Sequence, residues 1–174
     1  VNAAGNSVPS AGTTETPRTV PGAPTGLTGT PDNGQVALTW TAPASNGGSA
    51  ITGYQVSSDN GATWTNTGSA VASYTVSGLT NGTPYSFLVR AVNAAGEGTP
   101  SASLKTTPYT RPGVPTGFIA AGSNGQVLLT WMPPSSNGGS AITKYQVQMD
   151  GGSWVDVTEM SYIYTGLNNG TIYS

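Results

Sequence analysis

The chain has 174 residues, and only 7% of them are charged, against about 25% in an ordinary soluble domain. The net charge is −2, there is no His and no Cys, and the five basic residues are scattered. These values exclude a basic nucleic-acid surface, a disulfide framework, Ser-His-Asp or Cys-His catalysis and nearly all zinc sites. A hydrophobic share of 36% with so little charge is also unlike the composition of a disordered chain.

The first segment of the chain is a repeat of a later one. Val1-Asn2-Ala3-Ala4-Gly5 recurs as Val92-Asn93-Ala94-Ala95-Gly96, which is 91 positions further on. We therefore predict that residues 1–18 are the C-terminal strand of a preceding module, and that the chain is a window onto a longer array.

Residues 19–108 form the next segment, and it is rich in short β-type runs. Val36, Leu38 and Trp40 alternate with small or polar residues, so on a strand they face one side. A second alternating run extends from Tyr85 to Ala91. Turns rich in Gly, Pro and Asn separate the runs, and no stretch has a helical period. This segment is predicted to be one complete all-β sandwich module.

Residues 109–174 repeat the same module. The stretch from Ser45 to Thr52 recurs unchanged from Ser136 to Thr143. Because Ser174 aligns with Ser86, we predict an incomplete module that lacks its last strands.

The complete segment resembles a known family in the order of its key residues. Trp40, Pro43, Gly47-Gly48, Ile51, Tyr54 and Val56 are followed by Leu79, Gly82, Tyr85, Phe87, Val89, Ala91, Asn93 and Gly96. This run resembles the fibronectin type III pattern in its bacterial and archaeal tandem-repeat form. The resemblance implies seven-stranded, immunoglobulin-like Greek-key β-sandwiches in a beads-on-a-string array, with a tyrosine corner at Tyr85 that Tyr173 repeats. The expected structural core is Trp40, Trp131, Tyr54, Tyr145, Leu79, Tyr85, Leu167 and Tyr173.

Two proline-rich linkers occupy equivalent places in the repeat. Residues 16–24 and 107–115 each contain prolines that favour extended geometry. They are predicted to be semi-rigid spacers.

Few residues are candidates for binding, and none is a candidate for catalysis, for a cofactor or for a metal. The carboxylates are dispersed, so no facing pair of the glycosidase type is expected. Ser57-x-Asp59-x-Gly61-x-Thr63-Trp64 fits an Asp-box pattern and is interpreted as a tight hairpin turn. Trp64 and Trp154 are candidates for contact with sugar or protein. The Asn46 and Asn137 loops could be recognition loops, although a structural loop explains them more simply.

The leading functional hypothesis is a non-catalytic structural or adhesive segment of a secreted or cell-surface protein, acting as an elongated spacer, a stalk or an extracellular fibre. Two alternatives are an accessory region of a secreted polysaccharide-degrading enzyme and a specific protein- or glycan-binding module. The expected partners are neighbouring modules, other copies joined by head-to-tail strand exchange, and a cell-surface glycan or protein. Neither nucleic-acid binding nor membrane insertion is expected.

Overall fold

A computed structural model describes residues 2–8 and 10–174 of the chain. Within these residues the regular structure is entirely β, and no helix is long and apolar enough to cross a membrane. The strands are β1 (Thr25–Asp32), β2 (Gln35–Thr41), β3 (Gly53–Ser57), β4 (Thr65–Asn66), β5 (Ser73–Ser77), β6 (Tyr85–Asn93), β7 (Gly96–Glu97), β8 (Leu104–Thr106), β9 (Thr116–Ser123), β10 (Gln126–Met132), β11 (Tyr145–Val147), β12 (Val155–Val157) and β13 (Ser161–Thr165).

The chain divides into two compact units. Unit 1 comprises the described residues up to Leu27, together with Thr39–Tyr74 and Phe87–Ser103. Unit 2 comprises Thr28–Leu38, Thr75–Ser86 and Leu104–Ser174.

Unit 1 is built on an antiparallel sheet in which the strand order is β4-β3-β6-β7. Strand β3 pairs with β6 so that Tyr54 lies opposite Ala91 and Val56 lies opposite Val89. These four side chains are buried, in keeping with the period-two alternation of both strands. Trp40 packs edge-to-face on Tyr54 at a ring centroid distance of 5.1 Å.

Other strands form two three-stranded sheets and one two-stranded sheet. The first sheet has the order β1-β2-β5, with the buried Val36 and Leu38 on β2. The second has the order β13-β10-β9, and β11 pairs with β12. A second core forms around Leu129, Trp131 and Val147. Trp131 packs edge-to-face on Tyr145 at a ring centroid distance of 5.6 Å.

Both tyrosine corners are present. The Tyr85 hydroxyl accepts a hydrogen bond from the backbone N–H of Thr80, and the Tyr173 hydroxyl accepts one from Asn168, each at 3.0 Å. The remaining predicted core residues, Leu79, Leu167, Tyr85, Tyr145 and Tyr173, are half-buried.

Among the described residues up to position 18, residues 2–5 form a turn. Asn2 and Gly5 form an antiparallel bridge, with both N···O distances at 3.0 Å. The Asn2 side chain accepts a bond from Ala4 N, just as Asn93 does from Ala95 N. The segment that begins at Asn2 therefore repeats the segment at Asn93 in local structure as well as in sequence. Val1 lies outside the described residues, and the strand expected in residues 1–18 stays a prediction.

Candidate functional site

The loop Ser45–Gly48, here called clamp loop 1, holds the preceding proline-rich linker. The N–H of Thr19 donates to Gly47 O at 2.8 Å, and the N–H of Gly22 donates to Ser45 O at 2.9 Å. The backbone N–H groups of Thr19 and Gly22 in the linker are thus hydrogen-bonded to the protein, whereas those of a solvated spacer would be hydrogen-bonded to water. The loop that the sequence offered as a recognition loop or a structural one is a fixed attachment for the linker.

The local sequence of clamp loop 1 explains why it adopts this shape. The Asn46 side-chain oxygen accepts from Gly48 N at 2.9 Å, which is the geometry of an Asx-turn. Gly47 and Gly48 both have positive φ, 71° and 78°, which favours glycine. A Cβ at Gly47 would collide with the carbonyl oxygen of Thr19. Asn46 therefore has a structural use for its amide oxygen.

Asn93, the last residue of β6, binds both the linker and clamp loop 1. It is only 5% exposed, and its amide N–H groups donate to Thr19 O and to Asn46 O, each at 2.8 Å. Its side-chain oxygen accepts from Ala95 N at 2.8 Å. One buried amide therefore joins the linker, the clamp loop and the turn after β6. Asn93 is not among the residues predicted to be functional, although its recurrence as Asn2 was a usable signal.

The linker prolines next to clamp loop 1 are buried. Pro21 and Pro24 are among the most completely buried side chains in the described residues. The Pro21 carbonyl accepts from Thr99 N at 3.3 Å, and a Cβ at Gly98 would lie 2.5 Å from the same oxygen. The linker is thus packed as part of unit 1, and this packing restricts its backbone conformation.

The second copy repeats the backbone attachment in unit 2. In clamp loop 2, Ser136–Gly139, Gly138 O accepts from Thr110 N at 2.8 Å and Ser136 O accepts from Gly113 N at 2.9 Å. Asn137 makes the same Asx-turn to Gly139 N at 2.9 Å. Pro112 and Pro115 are exposed here, whereas their counterparts in the first linker are buried. The hydrogen bonds of the clamp are thus common to both copies, and the burial of the prolines is not.

The turn that ends each tyrosine corner is fixed by an asparagine. Asn81 accepts from Gly34 N at 2.8 Å and donates to the Asn33 side chain at 2.7 Å. Asn169 makes the equivalent bonds to Gly125 and Asn124, at 2.9 and 2.7 Å. Both asparagine amides are therefore engaged in holding the turn.

The Asp59 hairpin, residues 57–64, is organised by one carboxylate. Asp59 accepts from Thr63 Oγ1 at 2.6 Å, from Thr63 N at 2.9 Å and from Ser57 Oγ at 2.7 Å. These bonds, those from Thr63 above all, lower the pKa of Asp59 to about 2. No cluster of three or more metal-ligating side chains occurs in the part of the chain that the structure describes. The Asp59 carboxylate therefore stabilises the turn through these three hydrogen bonds.

The two candidate aromatic contacts differ in their surroundings. The Trp64 indole N–H donates to Gly61 O at 3.1 Å, and the Arg90 guanidinium lies over its ring at 4.3 Å from the centroid. One face of Trp64 is thus already used in a cation–π contact. Trp154 is 60% exposed. Trp64 belongs to unit 1 and Trp154 to unit 2.

Comparison with known proteins identifies the central segment. Residues 22–107 match the model of the family described as fibronectin type III domain. They are a fibronectin type III domain. Strands β1–β8 and the Tyr85 corner lie within these residues and are accordingly those of a fibronectin type III β-sandwich.

Several known proteins are similar to the chain or to part of it. Exoglucanase B of Cellulomonas fimi is 35% identical over 171 residues, covering 93% of this chain and 15% of that protein. Fibronectin type-III domain-containing protein 3A of Pongo abelii is 40% identical over 92 residues, covering 51% of this chain and 8% of that protein. A crystal structure of titin domains A168–A170 is 36% identical, covers 53% of this chain and 33% of that chain, and has a TM-score of 0.46. The chain therefore spans a small part of each of these relatives.

Proposed function

We propose that this chain is a non-catalytic spacer segment of a larger modular protein. The supporting observation is the clamp: in both copies the loop after the second strand binds the preceding linker through two backbone hydrogen bonds. A linker held in this way transmits the position of one module to the next, whereas a free linker would let the modules move independently.

The chemistry of the chain supports a role without catalysis. His and Cys are absent, and Asp59, whose pKa is lowered to about 2, accepts three hydrogen bonds within its own hairpin. These bonds favour the ionised carboxylate and fix its orientation in the turn. The Asp59 hairpin is therefore better explained as a stabilised turn.

The test of the spacer proposal is module replacement in the larger protein. Residues 22–107 are exchanged for an unrelated fibronectin type III domain of equal length, and in parallel for a Gly-Ser segment of equal residue number. A spacer tolerates the first exchange and is impaired by the second, because only the folded module keeps a fixed length. Loss of function in both exchanges would instead indicate a specific binding role.

A second candidate is an accessory region of a secreted polysaccharide-degrading enzyme. It is favoured by the alignment with exoglucanase B, which covers 93% of this chain. We propose an extracellular location for the whole protein in either case, and the similarity to an exoglucanase supports it. Release of soluble sugar from a glucan by the full-length protein supports this candidate, and its absence on a panel of polysaccharides argues against it.

A contact with a glycan or protein is proposed only at Trp154. Its exposed ring is suited to stacking on a sugar face, while the Trp64 ring is partly covered by Arg90. Titration of the chain with soluble oligosaccharides, monitored by tryptophan fluorescence, tests this contact. Saturable quenching that Trp154→Ala removes and Trp64→Ala keeps would support it, and a flat titration would refute it.

A further inference from the structure

Clamp loop 2 does more than bind its linker, because its second glycine meets a turn of the preceding segment. A Cβ placed on Gly139 would collide with the backbone N of Gly82 and would lie 2.8 Å from the carbonyl carbon of Asn81. Reciprocally, a Cβ on Gly82 would lie 3.1 Å from the Cα of Gly139. The two backbones approach as closely as only a pair of glycines permits.

The turn that meets Gly139 is held rigidly on both sides. The N–H of Gly82 donates to Pro108 O at 2.9 Å, which ties the turn to the first residues of the second linker. Asn81 ties it to the turn between β1 and β2 through its two side-chain bonds. Pro108 itself is almost completely buried. The contact is thus made between two preorganised surfaces, so little conformational freedom is lost on docking.

From this geometry we propose that the glycine pair of the clamp loop is a docking surface for the Asn-Gly turn of the preceding module. The partner is defined by its chemistry: a turn that presents a Gly with positive φ and no side chain, pinned by the preceding Asn. Gly82 has a φ of 82° and Gly139 a φ of 90°. The proposal rests on the spacer function above and adds a specific junction that fixes one module against the next.

The first copy of the loop has the same backbone conformation and a different neighbour. Gly48 has a φ of 78°, and a Cβ there would lie 3.2 Å from Pro17 O. Among the described residues, no glycine turn lies against it. Gly48 is therefore the matched control for Gly139: both positions are strained by a side chain, but only Gly139 meets a turn. Gly170, the counterpart of Gly82, has a φ of 79°, and a Cβ added there would meet no atom within 4 Å. It is the matched control for Gly82.

The experiment measures the spread of distances across the junction. Because the chain has no Cys, Ala37→Cys and Glu159→Cys provide the two spin-label positions, and electron–electron double resonance gives the distance distribution. The parent chain should give a narrow distribution. In Gly139→Ala it should broaden by about twofold, because the linker, still bound to clamp loop 2, is then left without the contact between the two glycine turns. In Gly48→Ala it should stay narrow.

A second pair of variants keeps the test decisive where Gly139→Ala fails to fold. Gly82→Ala should broaden the distribution and Gly170→Ala should not. A parent distribution that is already broad, or equal broadening in a variant and its control, would overturn the docking surface. Such a result leaves the spacer proposal standing, since module replacement tests that proposal without reference to the junction.

Discussion

At the scale of single residues, Asp59 shows how one carboxylate shapes a turn. Its folded-state pKa of about 2 lies below the usual 3.8, so the folded state favours the ionised form. The stabilisation it gives is present above the unfolded pKa and is lost as the pH falls from about 4 through about 2. The Asp59 hairpin is therefore expected to weaken in acid.

The acid response can be assigned by NMR titration of the Asp59 carboxyl carbon. The wild-type midpoint should be about 2, and Thr63→Val should raise it, because the Thr63 hydroxyl is the strongest single contributor to the lowered pKa. Asp59→Asn should remove this part of the pH dependence of thermal unfolding. A midpoint that is the same in wild type and Thr63→Val would contradict the assignment.

Trp40 is a large side chain in the core of the fibronectin type III domain. It is 6% exposed and packs against Tyr54. Trp40→Ala should reduce the free energy of unfolding by about 3–5 kcal/mol, which combines lost burial with a large cavity. Denaturant unfolding measures this loss, and Trp154→Ala is the matched control. The exposed position should change stability by less than about 0.5 kcal/mol, and similar losses at both positions would refute the argument.

At the scale of elements, Asn93 connects three segments that share no strand. Asn93→Ala would leave Thr19 O, Asn46 O and Ala95 N without their side-chain partner. We expect a loss of about 1–3 kcal/mol in unfolding free energy, since one buried amide satisfies all three groups. Asn66→Ala is the control, because Asn66 is exposed and makes a single side-chain bond, to Gln55.

Hydrogen exchange separates a loosened clamp from a general loss of stability. In Asn93→Ala the Thr19 amide should lose more protection than the amide of Val89 in the middle of β6. Equal loss at both amides would mean that Asn93 supports the domain as a whole and has no special role at the linker.

The strands were predictable from the sequence, and the clamp was not. Alternation alone placed Val36, Leu38 and Trp40 on one buried face, because strand periodicity depends on local geometry. The bond between Thr19 and Gly47 depends on where tertiary structure brings a linker and a distant loop, which no local pattern encodes. The prolines predicted a stiff linker, and backbone hydrogen bonds to the clamp loops add a restraint that proline content does not indicate.

The linker prolines show that equivalent positions in the sequence repeat can differ in burial. Pro21 and Pro112 occupy the same place in the repeat, yet the first is buried and the second exposed. Pro21 is covered in part by Thr99 and Gly98, beyond β7. Burial thus depends on elements far along the chain, even where the local sequence is nearly identical.

At the scale of the whole molecule, the open edge of β11 distinguishes the second copy from the first. Strand β3 pairs with both β4 and β6, whereas within the described residues β11 pairs with β12 alone. Exposed apolar side chains lie in the same copy, and Phe118 is 62% exposed. An open strand edge beside apolar surface is a template for another strand.

We propose that strand exchange between copies of this chain occurs at that edge. Tyr54 O accepts from Thr67 N on the β4 side, so by strand alternation the backbone of Gln55 points toward β6. Its counterpart is Gln146, whose N–H would face the open edge. Sedimentation of the 174-residue chain should show mass rising with concentration, and Gln146→Pro should suppress this rise by removing the donor. A strictly monomeric mass at high concentration, or equal association of both proteins, would refute strand exchange through β11.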